Sequence, residues 1–169
     1  MRLLLLLTLL AQDAEGVYTD EAYGITAAIP KGWTVTRSAD KNKALTMRAP
    51  AEARTGATFI LVIAEPMPDV TSGRVTLDKF LEEVQKQYPA KFKEYEFGKA
   101  EKGKDGENLT LDLYYRYNSS GQKIGQLQRL VWTKTQHYSL TFGCLADAFE
   151  ANRESFERWA KAFKPAPRK

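Results

Sequence analysis

Along most of this chain apolar and polar residues alternate with the two-residue period of half-buried strands, and two segments switch to the helical period. In the first alternating run, Tyr23 to Pro30, Ile25, Ala27 and Ile29 share a face. Pro30 has no amide hydrogen and ends the ladder. The corner Pro30-Lys31-Gly32 then turns the chain into a second run, opened by Trp33, which is expected to pack into the core. A third strand is expected over Ala44 to Ala49 with Leu45 and Met47 on one face, followed by a loop from Pro50 to Gly56. Ala57 to Ala64 is apolar but for Thr58, the pattern of a central strand covered on both sides.

The first helical segment runs from Leu77 to Tyr88. Thr76 is its expected N-cap, Asp78 sits in its first turn, and Phe80, Leu81, Val84 and Tyr88 form its apolar stripe. Pro89 is expected to stop it. The second spans about 147–163, with Asp147 and Glu150 at capping-box spacing and Phe149, Phe156, Trp159, Ala160 and Phe163 on one face.

Between the helices lie long strands. Phe92 to Glu101 is mixed, as an edge strand would be, and ends near Lys104-Asp105-Gly106. Glu107 to Asn118 alternates, with Leu109, Leu111, Leu113, Tyr115 and Tyr117 on one face and Thr110, Asp112, Tyr114 and Arg116 on the other. A three-residue loop Ser119-Ser120-Gly121 would return the chain into Gln122 to Thr133. That register sets Asn118 opposite Gln122, Arg116 opposite Ile124, Tyr114 opposite Gln126 and Asp112 opposite Gln128. It leaves one mismatch, Leu111 opposite Arg129, and a one-residue slip would exchange the faces of the second strand. A last strand, His137 to Leu145, leads into the final helix.

Composition narrows the class. Met1-Arg2 followed by Leu-Leu-Leu-Leu-Leu-Thr-Leu-Leu-Ala has the basic and apolar regions of an export signal, and is far shorter than the roughly 20 residues that span a bilayer. Residues 1–14 are therefore expected as a signal peptide, 15–164 as one domain and 165–169 as a disordered tail. No transmembrane segment is expected after signal removal, and the expected location is periplasmic or secreted. The 43% hydrophobic and 27% charged shares are those of a globular domain. The net charge of +4 is spread over mixed-sign patches, which argues against a nucleic-acid footprint.

Candidate chemistry is sparse. Cys144 is the one cysteine and His137 the one histidine, so neither an internal disulfide nor a multi-ligand zinc site is expected, and no other metal or cofactor is. No Gly-x-Ser-x-Gly elbow, phosphate loop or calcium loop occurs. His137 and Ser139, two positions apart on one strand face, are the residues a hydrolase would have to use. The hairpin's polar face, Asp112, Tyr114, Arg116, Gln126 and Gln128, mixes an acid, a cation, amides and an aromatic. Such a set suits a small polar ligand or a partner surface.

The opening Tyr23-Gly-Ile-x-x-x-Ile-Pro-x-Gly-Trp33, the apolar strand Phe59 to Ala64, the helix from Leu77, the long hairpin and the terminal helix through Phe163 together resemble the PsbP-like family, which includes exported bacterial DcrB-like proteins. The resemblance implies an α+β fold, an α/β/α sandwich with a mostly antiparallel sheet. It also implies a non-catalytic docking or stabilising role, and it carries over no functional residue. The expectation is an exported protein that binds a partner protein or envelope component without chemistry. The alternatives are a small polar ligand on the Tyr114/Arg116 face and, last, a hydrolase using His137 and Ser139.

Overall fold

In a computed structural model of the chain, residues 14–39, 43–50, 56–64 and 66–165 are described. The expected export signal lies outside them except for Ala14, and the expected tail lies outside them except for Pro165. In chain order the elements are β1 (Ala14–Asp20), β2 (Ile25–Pro30), β3 (Thr34–Arg37), β4 (Lys43–Arg48), β5 (Thr58–Ala64), a short helix α1 (Pro68–Thr71), α2 (Leu77–Lys91), β6 (Lys93–Asp105), β7 (Asn108–Ser119), β8 (Gln122–Trp132), β9 (His137–Leu145) and α3 (Phe149–Ala162). The fold is α+β. Seven strands form one antiparallel sheet in the order β3-β4-β5-β9-β8-β7-β6, and β1 and β2 form a separate antiparallel pair.

Pro30-Lys31-Gly32 turns the chain between these two sheets, with the Trp33 N–H donating to the Pro30 carbonyl at 3.1 Å. Trp33 stacks on Phe59 with ring centroids 4.5 Å apart. Ile25, Ala27, Leu45 and Met47 are buried as the alternation requires. β5 is an interior strand, with Phe59 buried and Ile60 half-buried; the side chains of residues 61–64 lie outside the described set.

One side of the sheet is sealed by α3 and the β1–β2 pair. The α3 stripe Phe149, Phe156, Trp159, Ala160 and Phe163 is buried there against Phe59, Leu127, Leu140 and Phe142. The Trp159 indole N–H donates to the Ala28 carbonyl at 2.8 Å, and the Tyr138 hydroxyl donates to that of Tyr23 at 3.1 Å. The other side carries a smaller core in which α1 and α2 cover Leu111, Leu113, Tyr115, Leu130 and Trp132.

Three expectations need correction. α2 runs through Pro89 to Lys91. A proline in the last turn forfeits only its own bond to the preceding turn, and the turn still closes through the Phe92 N–H on the Tyr88 carbonyl at 2.9 Å. The Asp147/Glu150 capping box does not form. A turn forms there instead, with the Ala148 N–H donating to the Leu145 carbonyl at 3.0 Å and the Phe149 N–H to that of Ala146 at 3.4 Å, and Ala148 is the N-cap without a side-chain bond.

The third correction is the hairpin register. The β7–β8 connection is the two-residue turn Ser120-Gly121, with φ of 52° and 80°. Two successive left-handed residues make the type I′ turn whose twist matches the strands. The Asn118 Oδ1 accepts from the Gly121 N–H at 3.0 Å and supports it. Asn118 now faces Lys123, Arg116 faces Gly125, Tyr114 faces Leu127 and Asp112 faces Arg129. The mismatch disappears, since Leu111 pairs with Leu130 and Arg129 meets a carboxylate.

Candidate functional site

The register decides the fate of the five residues expected to form one polar face. Asp112, Tyr114 and Arg116 lie on the α3 side, while Gln126 and Gln128 lie on the α2 side. The sheet separates the two groups.

On the α3 side, the Arg129 Nη1 lies 3.2 Å from the Asp112 Oδ2 in a largely buried ion pair, and the Asp112 Oδ1 has no partner among the described residues. Burial raises the Asp112 pKa, Arg129 opposes that shift, and Glu101 and Glu157 add to it. Tyr114 is buried. Its hydroxyl donates to the Glu157 Oε1 at 3.2 Å, and the Lys99 ammonium stands 4.4 Å from its ring centroid. Burial, then Glu157, pushes its phenol above the ordinary range. Beside it is a cleft of about 310 Å³ lined by Tyr114, Arg116, Phe97, Lys99, Glu96 and Arg153, among others. Tyr114 and Arg116 thus share a cleft; Asp112 is not part of it.

On the α2 side the two glutamines belong to a buried hydrogen-bond network. Gln128 accepts at Oε1 from the hydroxyls of Tyr88 (2.9 Å) and Tyr115 (3.4 Å), and its Nε2 donates to the Ser139 Oγ at 2.8 Å. The Gln126 Nε2 donates to the Tyr115 hydroxyl. These bonds satisfy two amides that would otherwise be costly to bury, and they tie α2 to three strands.

His137 and Ser139 do share a strand face but are not joined. The His137 ring stacks on Trp132 at 5.0 Å, and neither ring nitrogen has a partner among the described residues. Burial lowers its pKa to about 4. The hydrolase expectation is therefore corrected: the histidine is enclosed, and the serine hydroxyl is engaged by Gln128. Cys144 is also buried, with burial and then Asp147 pushing its thiol up to about 11. Among the described residues no cluster of three or more His, Cys, Asp or Glu side chains is placed to hold a metal ion.

A second, wider concavity was not expected. α2 covers the β6–β8 half of its side, and beyond it, toward β4, β5 and β9, opens a groove of about 650 Å³. Ile60, Ile124 and Leu145 supply its apolar surface. Thr58, Thr141 and the buried Gln126 supply polar groups. Gly143 lies in its floor, where a Cβ would meet nothing nearer than the Ile124 side chain at 3.7 Å. Arg48 is the one charged residue among the described lining residues and has no ion pair among them. The signal for this groove was in β9. Its buried face reads Tyr138, Leu140, Phe142 and Cys144, whereas the other reads Ser139, Thr141 and Gly143, too small and polar to be the floor of a second core.

A seven-stranded antiparallel sheet with helices on both faces is a PsbP-like fold. Solved structures show the same fold. Over 90% of this chain and 93% of the other, it superposes on CyanoP, the cyanobacterial PsbP of Synechocystis sp. PCC 6803, with a TM-score of 0.70 at 15% identity. PA94 of Pseudomonas aeruginosa follows over 90% and 97%, with a TM-score of 0.62 at 11% identity. LpqN, involved in cell envelope biogenesis of Mycobacterium tuberculosis, matches over 85% and 83%, with a TM-score of 0.58 at 13% identity. No family model and no curated protein matches the chain. Among the described residues, no helix is long and apolar enough to cross a membrane.

Proposed function

We propose that this chain is an exported, non-catalytic binding protein of the bacterial envelope, and that it holds its partner or ligand in the groove beside α2. The groove carries the reading. Its volume of about 650 Å³ is in the range of about 300–1,000 Å³ typical of ligand sites, and its walls mix apolar surface with a fixed amide. Export is supported by the basic and leucine-rich start of the chain. The envelope is supported by the likeness to LpqN. A non-catalytic role is supported by the enclosure of His137 and Cys144 and by the occupied Ser139 hydroxyl.

The test is a thermal-shift screen of envelope-derived compounds and fractions on the mature protein and on Gly143→Leu, which fills the floor. A component that raises the Tm of the parent but not of the variant supports the groove, because a ligand stabilises the state it binds by mass action. A component that stabilises both equally places binding elsewhere and sinks this reading.

A second reading is favoured by one observation: Tyr114 and Arg116 line a cleft together, and Arg116 has no ion pair among the described residues. A small polar anion would suit it. In the same screen its signature is a shift lost in Arg116→Ala and retained in Gly143→Leu.

A further inference from the structure

The groove's chemistry narrows what it takes, and this step rests on the groove being the binding site. Apolar side chains line it from three strands: Ile60 of β5, Ile124 of β8 and Leu145 of β9. Hydrogen-bonding groups on the same surface, Thr58, Thr141 and Gln126, are uncharged. Arg48, at the end of β4, is exposed and is the one charge among the described lining residues. Most other arginines of the described fold are spoken for: Arg37 by Asp20, Arg74 by Asp69, Arg129 by Asp112, Arg153 by Glu150, and Arg158 by Glu154. A guanidinium with no ion pair among the described residues, beside a trough whose other described lining residues are uncharged and half apolar, complements a ligand with one anionic end and an apolar body. Among the described lining residues an acid-rich partner surface would find one cation, and a cation would find no carboxylate. A purely apolar ligand would leave the buried Gln126 amide facing hydrocarbon, which is unfavourable.

We infer that the groove binds a monoanionic amphiphile: an acyl chain or similar apolar body lying over Ile60, Ile124 and Leu145, with its carboxylate held by Arg48. The ligand is a free molecule taken from solution rather than a bilayer surface, since the groove is a recess in a sheet face and not a protruding apolar patch.

The experiment measures calorimetric binding of laurate, below its micelle concentration, to the mature protein. Dodecanol and dodecyltrimethylammonium serve as neutral and cationic ligands with the same chain, and acetate as the acid without one. Laurate is expected to bind at least about tenfold more tightly than dodecanol, as a charge-assisted hydrogen bond allows. The cation and acetate are expected not to bind measurably. Arg48→Gln should remove the advantage of laurate over dodecanol. Gly143→Leu and, independently, Thr141→Tyr should abolish binding of both, each variant first being shown to melt cooperatively. Equal binding of laurate and dodecanol, lost in the groove-filling variants, would overturn the acid assignment and leave the groove standing. Laurate binding untouched by the filling variants would overturn the groove as well. No binding of any chain-bearing ligand overturns the amphiphile alone, because the compound screen of the groove is independent of it.

Discussion

The two sides of the sheet differ in how completely they are covered, and the difference separates what holds this protein together from what it has to offer a ligand. On the α3 side a helix and a strand pair cover the surface except at the Tyr114/Arg116 cleft beside β6. Phe59, Phe142, Phe156 and Trp159 make a continuous ring cluster with centroids 4.8–5.8 Å apart. On the α2 side the cover stops partway. The covered half holds its own aromatic set around Tyr88, Phe92 and Tyr115, crossed by the Gln126–Tyr115–Gln128 hydrogen bonds, and the uncovered half is the groove. A side chain beneath that cover answers to packing. One on the open side answers to water and to whatever enters.

The contrast can be broken hardest at Phe156, which is fully buried and contacts both Phe59 and Phe142. Phe156→Ala should cost about 3–5 kcal/mol, the usual result of emptying an aromatic site in a core. Urea unfolding should show this as a lower midpoint with the slope retained. A loss under 1 kcal/mol would mean the sealed side is not the main core.

The next largest effect belongs to His137, on the covered half of the α2 side. A free imidazole titrates near 6.5, and in the fold burial lowers this to about 4. Between those values the unfolded chain holds a proton that the folded chain does not. The stability this provides is complete above about pH 6.5 and is lost as pH falls toward 4, by about 3 kcal/mol if the whole shift is realised. Carboxylates titrate in the same range, so the informative measurement is the difference between the parent and His137→Phe, which keeps a ring against Trp132. The parent should lose stability faster than the variant from pH 6.5 downward. Parallel curves would show that the ring is already hydrated in the fold.

Period and punctuation made most of this architecture readable before the structure. Leu45 and Met47, the stripe from Phe149 to Phe163, and the faces of β7 all sit where the alternation put them, because burial on one side leaves the chain no other register. The β7–β8 pairing was not readable, because it turns on whether one residue, Ser120, adopts a positive φ. Serine does so rarely, and its sequence neighbours do not announce it. That single backbone choice moved Gln126 and Gln128 across the sheet, so the five-residue polar face came apart with it. The ending at Pro89 and the cap at Asp147 went the same way: local signals were overridden by packing and by a neighbouring turn. The groove was hidden for a different reason. The small, polar face of β9 (Ser139, Thr141 and Gly143) spoke against a second core there, but a concavity is made by what a helix fails to cover, and where α2 stops is not written in β9.

Two glycines on neighbouring strands give the finest test of the comparison, because they make the same substitution report on opposite sides. Gly125 lies on the sealed side, where an added Cβ would sit 2.7–2.9 Å from the Cγ, Cβ and Cδ2 of Phe149. Those atoms are close to the α3 backbone and cannot swing away, so the first turn of the helix must lift. Gly125→Ala should cost about 1–3 kcal/mol, as overpacking of a tight core does. Gly143, one strand over and on the open side, has only ordinary contacts at 3.7 Å and beyond. Gly143→Ala should be within about 0.5 kcal/mol of the parent, since it removes backbone freedom from the unfolded chain and meets no obstacle in the fold. Thermal unfolding of the two variants side by side reads the difference. Equal destabilisation would mean that the groove floor is as tightly packed as the core, and the distinction between a sealed and an open side would fail at the residue where it is drawn most sharply.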